Sequence, residues 1–332
     1  MTGIVAWEDP VIPLDADPED YAGSDLDVRA VLQRLPAEDR PGRRLDDLPW
    51  GRFHHAHGRA DDVPGFITNL GSSDPMIAKN ALRLLSGTLC HQGSTSAPGA
   101  MAVPFLLRVA ENRIAHHRAD VLWLIADIAR RCHYGDGTRA GFLRTAPDGL
   151  TYDTYAYPAG WSIQAARDAL AQDMDILIAL LDDPDPEVRS HSAYALAAAT
   201  VADGSVYPHL HGRLRAEQRP EVRASLVLAI AQLAFDRDRD HATAWAHSLL
   251  SNLEQPDETR VSAAIAWLCL TDGPVPHQIT ALLLDADDSV IDALEQSPWL
   301  QAIAAPGLGY TRCIGQLLDL NDPPHMIDDP WA

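Results

Sequence analysis

Asp183-Pro184-Asp185-Pro186-Glu187-Val188-Arg189 opens a run of small and apolar residues that ends near Thr200. Arg219-Pro220-Glu221-Val222-Arg223 opens a second, ending near Phe235, and Pro256-Asp257-Glu258-Thr259-Arg260-Val261 a third, ending near Leu270. The three arginines lie 34 and 37 residues apart. An acid or proline at the head of each run supplies a helix start: a carboxylate satisfies orphan amides, and proline in the first turn forfeits no hydrogen bond. A fixed period in this range marks stacked helical hairpins, each burying its apolar face against its neighbours.

Outward from this stretch, the same pattern predicts further pairs. Val63–Leu70 precedes a helix from Asp74-Pro75 to Cys90, and Met101–Ala110 precedes His117–Arg131. Met174–Leu181 pairs with Glu187–Ala199, Tyr207–Leu214 with Pro220–Phe235, Ala242–Leu253 with Asp257–Leu270, and His277–Leu284 with Ser289–Gln296. Tyr310–Leu320 closes the array. Lys79 and Arg118, 39 residues apart, occupy similar places in consecutive hairpins. The expected fold is all-α, an α-solenoid of about five or six helical hairpins with one irregular insertion. Residues 1–45, rich in Asp, Pro and Gly, read as an acidic N-terminal extension with one helical piece at Asp27–Leu35, and 46–332 as the solenoid.

The insertion, 133–160, breaks the period. It carries Tyr134, Tyr152, Tyr155 and Tyr157, and Trp161 follows it. Long loops in compact proteins are commonly functional, and aromatic groups anchor protein interfaces. The competing reading is that these rings plug the solenoid core. The loop His91–Gly99, including Gln92, also follows the second helix of a hairpin, so both loops are expected on one edge. Tyr134, Tyr152, Tyr155, Tyr157, Trp161, His91 and Gln92 are therefore the expected partner-binding residues.

The phrase D-P-x-V-R followed by A-x-x-A-L resembles HEAT and armadillo-type repeats, best at Asp183 to Leu196. Leu48-Pro49-Trp50-Gly51, His55-Ala56-His57-Gly58, Asp61-Asp62-Val63-Pro64, His91-Gln92-Gly93 and Ala102-Val103-Pro104-Phe105-Leu106 resemble HEAT-repeat proteins of actinomycetes. The resemblance implies an α-solenoid in a bacterial protein, and a protein-binding role of inhibitor, immunity or accessory type.

Charge narrows the partners. Acids outnumber bases 47 to 26, for a net charge of -21. Residues 1–50, 51–170, 171–250 and 251–332 carry nets of -7, +2, -5 and -11. Such a surface repels phosphate backbones and anionic membranes and attracts a partner with a basic surface. The expectation is another protein as partner, with neither membrane nor nucleic acid. No apolar run is long enough to span a bilayer. The four scattered cysteines form no C-x-x-C pair and no secretion signal precedes them, so the expected location is the cytoplasm.

Two chemical alternatives arise. His54, His55, His57, His91, His116, His117 and His133 cluster in sequence, and Cys90-His91 and Cys132-His133 fall at matching helix ends. Zinc would suit two thiol–imidazole pairs, but cation-to-dipole contacts at helix C-termini explain the same residues, and no metal is expected. Trp123 and Asp127, four apart on one helix face, resemble the tryptophan–aspartate pair of HEAT-like DNA glycosylases that excise alkylated bases, where the carboxylate stabilises charge developing on the sugar. That chemistry requires a basic surface for phosphates, available here only around Arg83, Arg108, Arg113, Arg118, Arg130 and Arg131. An acidic nucleic-acid mimic is a further alternative. No glycine-rich phosphate loop or nucleophile elbow occurs, so no cofactor is expected.

Overall fold

In the computed structural model, residues 26–35, 42–91, 93–130, 138–144, 152–200, 204–303 and 309–319 are described. They are predominantly helical, as the period predicts. The chain is an all-α protein built from successive helical hairpins. Among the described residues, strand is confined to two ribbons of two-residue strands, β1 (His54–His55) with β2 (Gly58–Arg59) and β3 (Cys90–His91) with β4 (Ser94–Thr95), both antiparallel. The chain forms two compact units, the first comprising 1–131, 145–177 and 198–200, the second 132–144, 178–197 and 201–332.

In the first unit, α1 (Val28–Gln33) is capped by Asp27, whose carboxylate accepts the Arg29 N–H. Two hairpins follow: α2 (Val63–Leu70) with α3 (Pro75–Leu89), and α4 (Ala97–Glu111) with α5 (Arg118–Ile128). First helix stacks on first helix and second on second. Asp74 starts α3, accepting the Met76 and Ile77 amides at 2.8 and 3.4 Å. Helix α4 is apolar all round and nearly every residue in it is buried, so it must be covered on all sides. It is covered by α2, α5 and α6 (Ala159–Gln172), with α1 lying on both α4 and α6. Its start lies four residues ahead of the expected Met101. Gly99 permits this, because a Cβ there would sit 3.2 Å from the Leu89 carbonyl. Helix α6 begins at Ala159, inside the span expected to be irregular. Residues 42–45 also belong to this body: Arg43 donates to Asp173 at 2.9 Å, both side chains 2% exposed, and Arg108 donates to the Arg43 carbonyl.

Helix α7 (Met174–Leu180) carries the chain onward. In the second unit, α8 (Pro186–Ala198), α10 (Pro220–Ala234) and α12 (Asp257–Leu270) are the inner helices, paired with α9 (Tyr207–Ala216) before α10 and α11 (Arg239–Ser251) before α12. The Ser190 and Ser225 hydroxyls meet at 2.7 Å, and Gln232 donates to the Ala197 carbonyl, so α8 and α10 lie in contact. Val188 and Leu196, expected in the core, are 1% and 0% exposed. Helices α13 (His277–Leu284), α14 (Asp288–Glu295), α15 (Pro298–Ile303) and α16 (Gly309–Leu317) close the stack. Helix α15, which the period did not reveal, sets Trp299 edge-on to Tyr194 at 4.7 Å, and its indole N–H donates to Gln232.

The recurring arginine explains the repeated phrase. In α8, α10 and α12 it is the fourth helical residue. Arg189 donates to the Asp183 and Pro184 carbonyls, Arg223 to those of Leu214 and Glu217, and Arg260 to that of Leu250. Each guanidinium thus satisfies carbonyls that the preceding helix or turn leaves open. Arg189 also forms a bidentate pair with the buried Glu217 of the next hairpin, at 2.8 and 3.0 Å. Burial works against the Glu217 charge. Hydrogen bonds from Arg189, the Arg219 amide and Arg213 outweigh it and hold the carboxyl down at about 2.

Candidate functional site

The residues expected to form a partner surface divide between core and exterior. Tyr157 is a core residue, 3% exposed. Its hydroxyl donates to the Leu26 carbonyl at 2.6 Å and accepts the Val28 amide at 2.9 Å, and its ring meets Phe53 edge-on at 5.9 Å. Trp161, half-buried, carries the Arg29 guanidinium 4.0 Å over its ring. These two residues fasten α1 to the first unit. For Tyr157 the expectation of a surface anchor is therefore corrected: its hydroxyl supplies the partners that the backbone ahead of α1 needs.

Tyr152 and Tyr155 remain accessible. Asp153 accepts the Tyr155 and Tyr157 amides at 2.8 and 3.0 Å, folding 152–158 into a closed turn. Burial pushes the Asp153 carboxyl up, and those two amide bonds oppose the shift. The turn stacks Tyr155 on His54, ring centroids 4.7 Å apart, and leaves Tyr152 42% exposed. His91 meets His57 edge-on at 5.2 Å. The β1–β2 ribbon thus gathers Tyr155 and His91 at one edge of the unit. Tyr134, Gln92, Cys132 and His133 lie outside the described residues.

His55 is buried. Its Nδ1 accepts the His57 amide, which places the ring proton on Nε2, where it is donated to Asp62 at 2.9 Å. Burial, then the Asp127 charge, push the Cys90 thiol well up, and the Thr95 hydroxyl opposes only in part. Burial thus favours the neutral thiol. Among the described residues no group of three or more His, Cys, Asp or Glu is placed to hold a metal ion.

Trp123 and Asp127 do share a face of α5, and the indole N–H donates to Asp127 Oδ2 at 2.9 Å. The other oxygen, Oδ1, is buried. One carboxylate oxygen thus accepts the indole N–H and the other is turned inward.

One concave feature of the first unit was not expected. A groove of about 610 Å³ runs between α3 and α5. Met76, Lys79, Leu82 and Arg83 line it from α3, Asp120 and Trp123 from α5. Met76 is 70% exposed. Arg83 donates to Asn80 at 3.1 Å, and His117 stands 3.5 Å from Asp120. Lys79 and Arg118, expected to be equivalent, diverge. Arg118 turns inward to the Ala110 carbonyl at 2.7 Å, whereas Lys79 faces the groove. Helix α3 leads from the groove to the histidine edge, since the Cys90 amide bonds the Ser86 carbonyl one turn back.

An engineered protein of known crystal structure is 20% identical to this chain, with a TM-score of 0.40 over 78% of this chain and 96% of that one. Two designed armadillo repeat proteins, the first in complex with a (KR)4 peptide, are 18% and 19% identical, with TM-scores of 0.38 and 0.37; each match covers 78% of this chain and 99% or 100% of the other. No family model matches the chain, and no curated protein does. Among the described residues no helix is long and apolar enough to cross a membrane.

Proposed function

We propose that this protein is a non-catalytic scaffold that binds another protein through the first unit. One observation carries the reading: an open groove, lined by exposed apolar and cationic side chains, on the stacked second helices. Grooves between packed helices are established peptide-recognition surfaces. The aromatic edge formed by Tyr155, His54, His57 and His91 extends the same strip beyond the end of α3. An inhibitor or immunity-type role is the form of this reading implied by the resemblance to actinomycete HEAT-repeat proteins. A basic partner surface would be met by residues 251–332, which carry a net of -11; the groove carries the opposite sign and selects on other terms.

Site-specific photocrosslinking tests the reading. A benzophenone side chain at Asn80, exposed in the groove, should yield a discrete protein adduct in the native host. The same group at His247, exposed in the second unit outside 251–332, should not. Equal labelling from both positions, or none from Asn80, would remove the groove from the binding surface.

A further inference from the structure

We propose that the groove between α3 and α5 takes an acidic peptide segment anchored by an apolar side chain. The proposal rests on the scaffold reading and narrows it to a class of partner.

The first argument is charge. Carboxylates outnumber cations 47 to 26 in this chain, so a cation is readily paired within it. Several arginines of the first unit follow that rule or turn inward: Arg59 pairs with Asp61, and Arg108 and Arg118 donate to backbone carbonyls. Lys79 and Arg83 do neither. Both are exposed, one turn apart on α3, and neither makes an ion pair within 4 Å among the described residues. Lys79 is also the chain's only lysine. The groove's one carboxylate, Asp120, lies on the opposite wall and is partly met by His117.

The second argument is the floor. The Trp123 indole N–H is taken by Asp127, so Trp123 offers the groove its ring rather than a donor. With Leu82 and the largely exposed Met76 it forms an apolar strip beside the two cations. Methionine is adaptable and suits a surface that closes around a variable side chain. The volume lies within the range of ligand sites, which pair an apolar lining with a few polar fixing groups. A nucleic acid fits less well. Two cations on one helix neutralise few phosphates, and a chain at -21 repels a polyanion. A short peptide brings only a few carboxylates and supplies the apolar anchor.

The experiment is selection of a random-peptide phage library on the full chain, with counter-selection on K79E/R83E. Both positions are exposed, so the variant should fold, and circular dichroism checks that it does. The expected outcome is enrichment of peptides with Asp or Glu flanking an apolar residue. A synthetic copy should bind roughly tenfold or more weakly to K79E/R83E, and more weakly at high salt than at low. Enrichment of basic or uncharged peptides, binding indifferent to the double substitution, or no enrichment would overturn the proposal. A host adduct at Asn80 without acidic selection would sink the acidic segment and leave the scaffold standing. Acidic peptides bound through the groove without any host adduct would do the reverse.

Discussion

Helices α3 and α8 begin alike, with proline as first residue after an aspartate, yet bury different faces. In α8 the third residue, Val188, is 1% exposed and the fourth, Arg189, reaches inward to carbonyls and to Glu217. In α3 the third residue, Ile77, is 46% exposed and the fourth, Ala78, is fully buried. The inward position has advanced by one residue, a rotation of about 100°. Helices α10 and α12 follow α8, with Val222 and Thr259 buried in third place and arginine fourth. The cation of α3 comes fifth, as Lys79, and lines a groove. One register step thus converts a staple between repeats into a surface charge. The lesson is that a repeat can be read for its architecture at one end of the chain and for its binding surface where the phrase is out of step.

The sharpest way to break this comparison is to place a carboxylate at the third position of both helices. Val188→Asp buries an unpaired charge and should cost several kcal/mol, on the order of 4; Ile77→Asp should cost less than about 1. Equal shifts in denaturant midpoint would show that the two first turns are packed alike. Next in size is the arginine itself. Arg189→Ala removes the bidentate partner of a carboxylate that is 1% exposed and should cost about 3 kcal/mol by urea unfolding.

The same pair predicts an acid limb. Glu217 is held at about 2 against an ordinary value of 4.5, so the folded state binds its proton less readily than the unfolded one. Its stabilisation is complete above about 4.5 and drains away as pH falls towards 2. Stability measured across that window should fall more gently in Arg189→Ala than in the parent, and parallel curves would detach Glu217 from the effect. The smallest expected effect is the converse one: Lys79→Ala should shift stability by no more than about 0.5 kcal/mol while weakening any groove ligand. A loss comparable to that of Arg189→Ala would mean that Lys79 is structural after all.

The repeat phrases were legible because local chemistry and tertiary packing agree in them. The expected Val63–Leu70, Asp257–Leu270 and His277–Leu284 are the helices observed. Where the two disagree, the reading slipped. Pro158-Ala159-Gly160 looks like a breaker, yet α6 starts there because Ala159, Ile163, Ala166 and Leu170 have a buried face to fill. Pro98 and Gly99 look like loop, yet Gly99 lets α4 begin against Leu89 and Ile128. The aromatic insertion could be recognised as unusual, but composition does not say which ring turns inward. Tyr157 does so to serve the Leu26 carbonyl and Val28 amide, about 130 residues away. The groove was invisible for a related reason. Nothing within α3 or α5 alone shows that they lie side by side.

The buried pair of Arg43 and Asp173 bears on how the molecule can be cut. Sequence periodicity invites a fragment that opens at the first regular hairpin. Such a fragment would lose Arg43, the counter-ion of a carboxylate 2% exposed at the end of α6, and with it the carbonyl that Arg108 holds. It would also lose α1, leaving the Tyr157 hydroxyl without either bond. The recombinant boundary that respects the first unit's charge balance therefore lies upstream of Asp27, not at the hairpin where the repeats become visible.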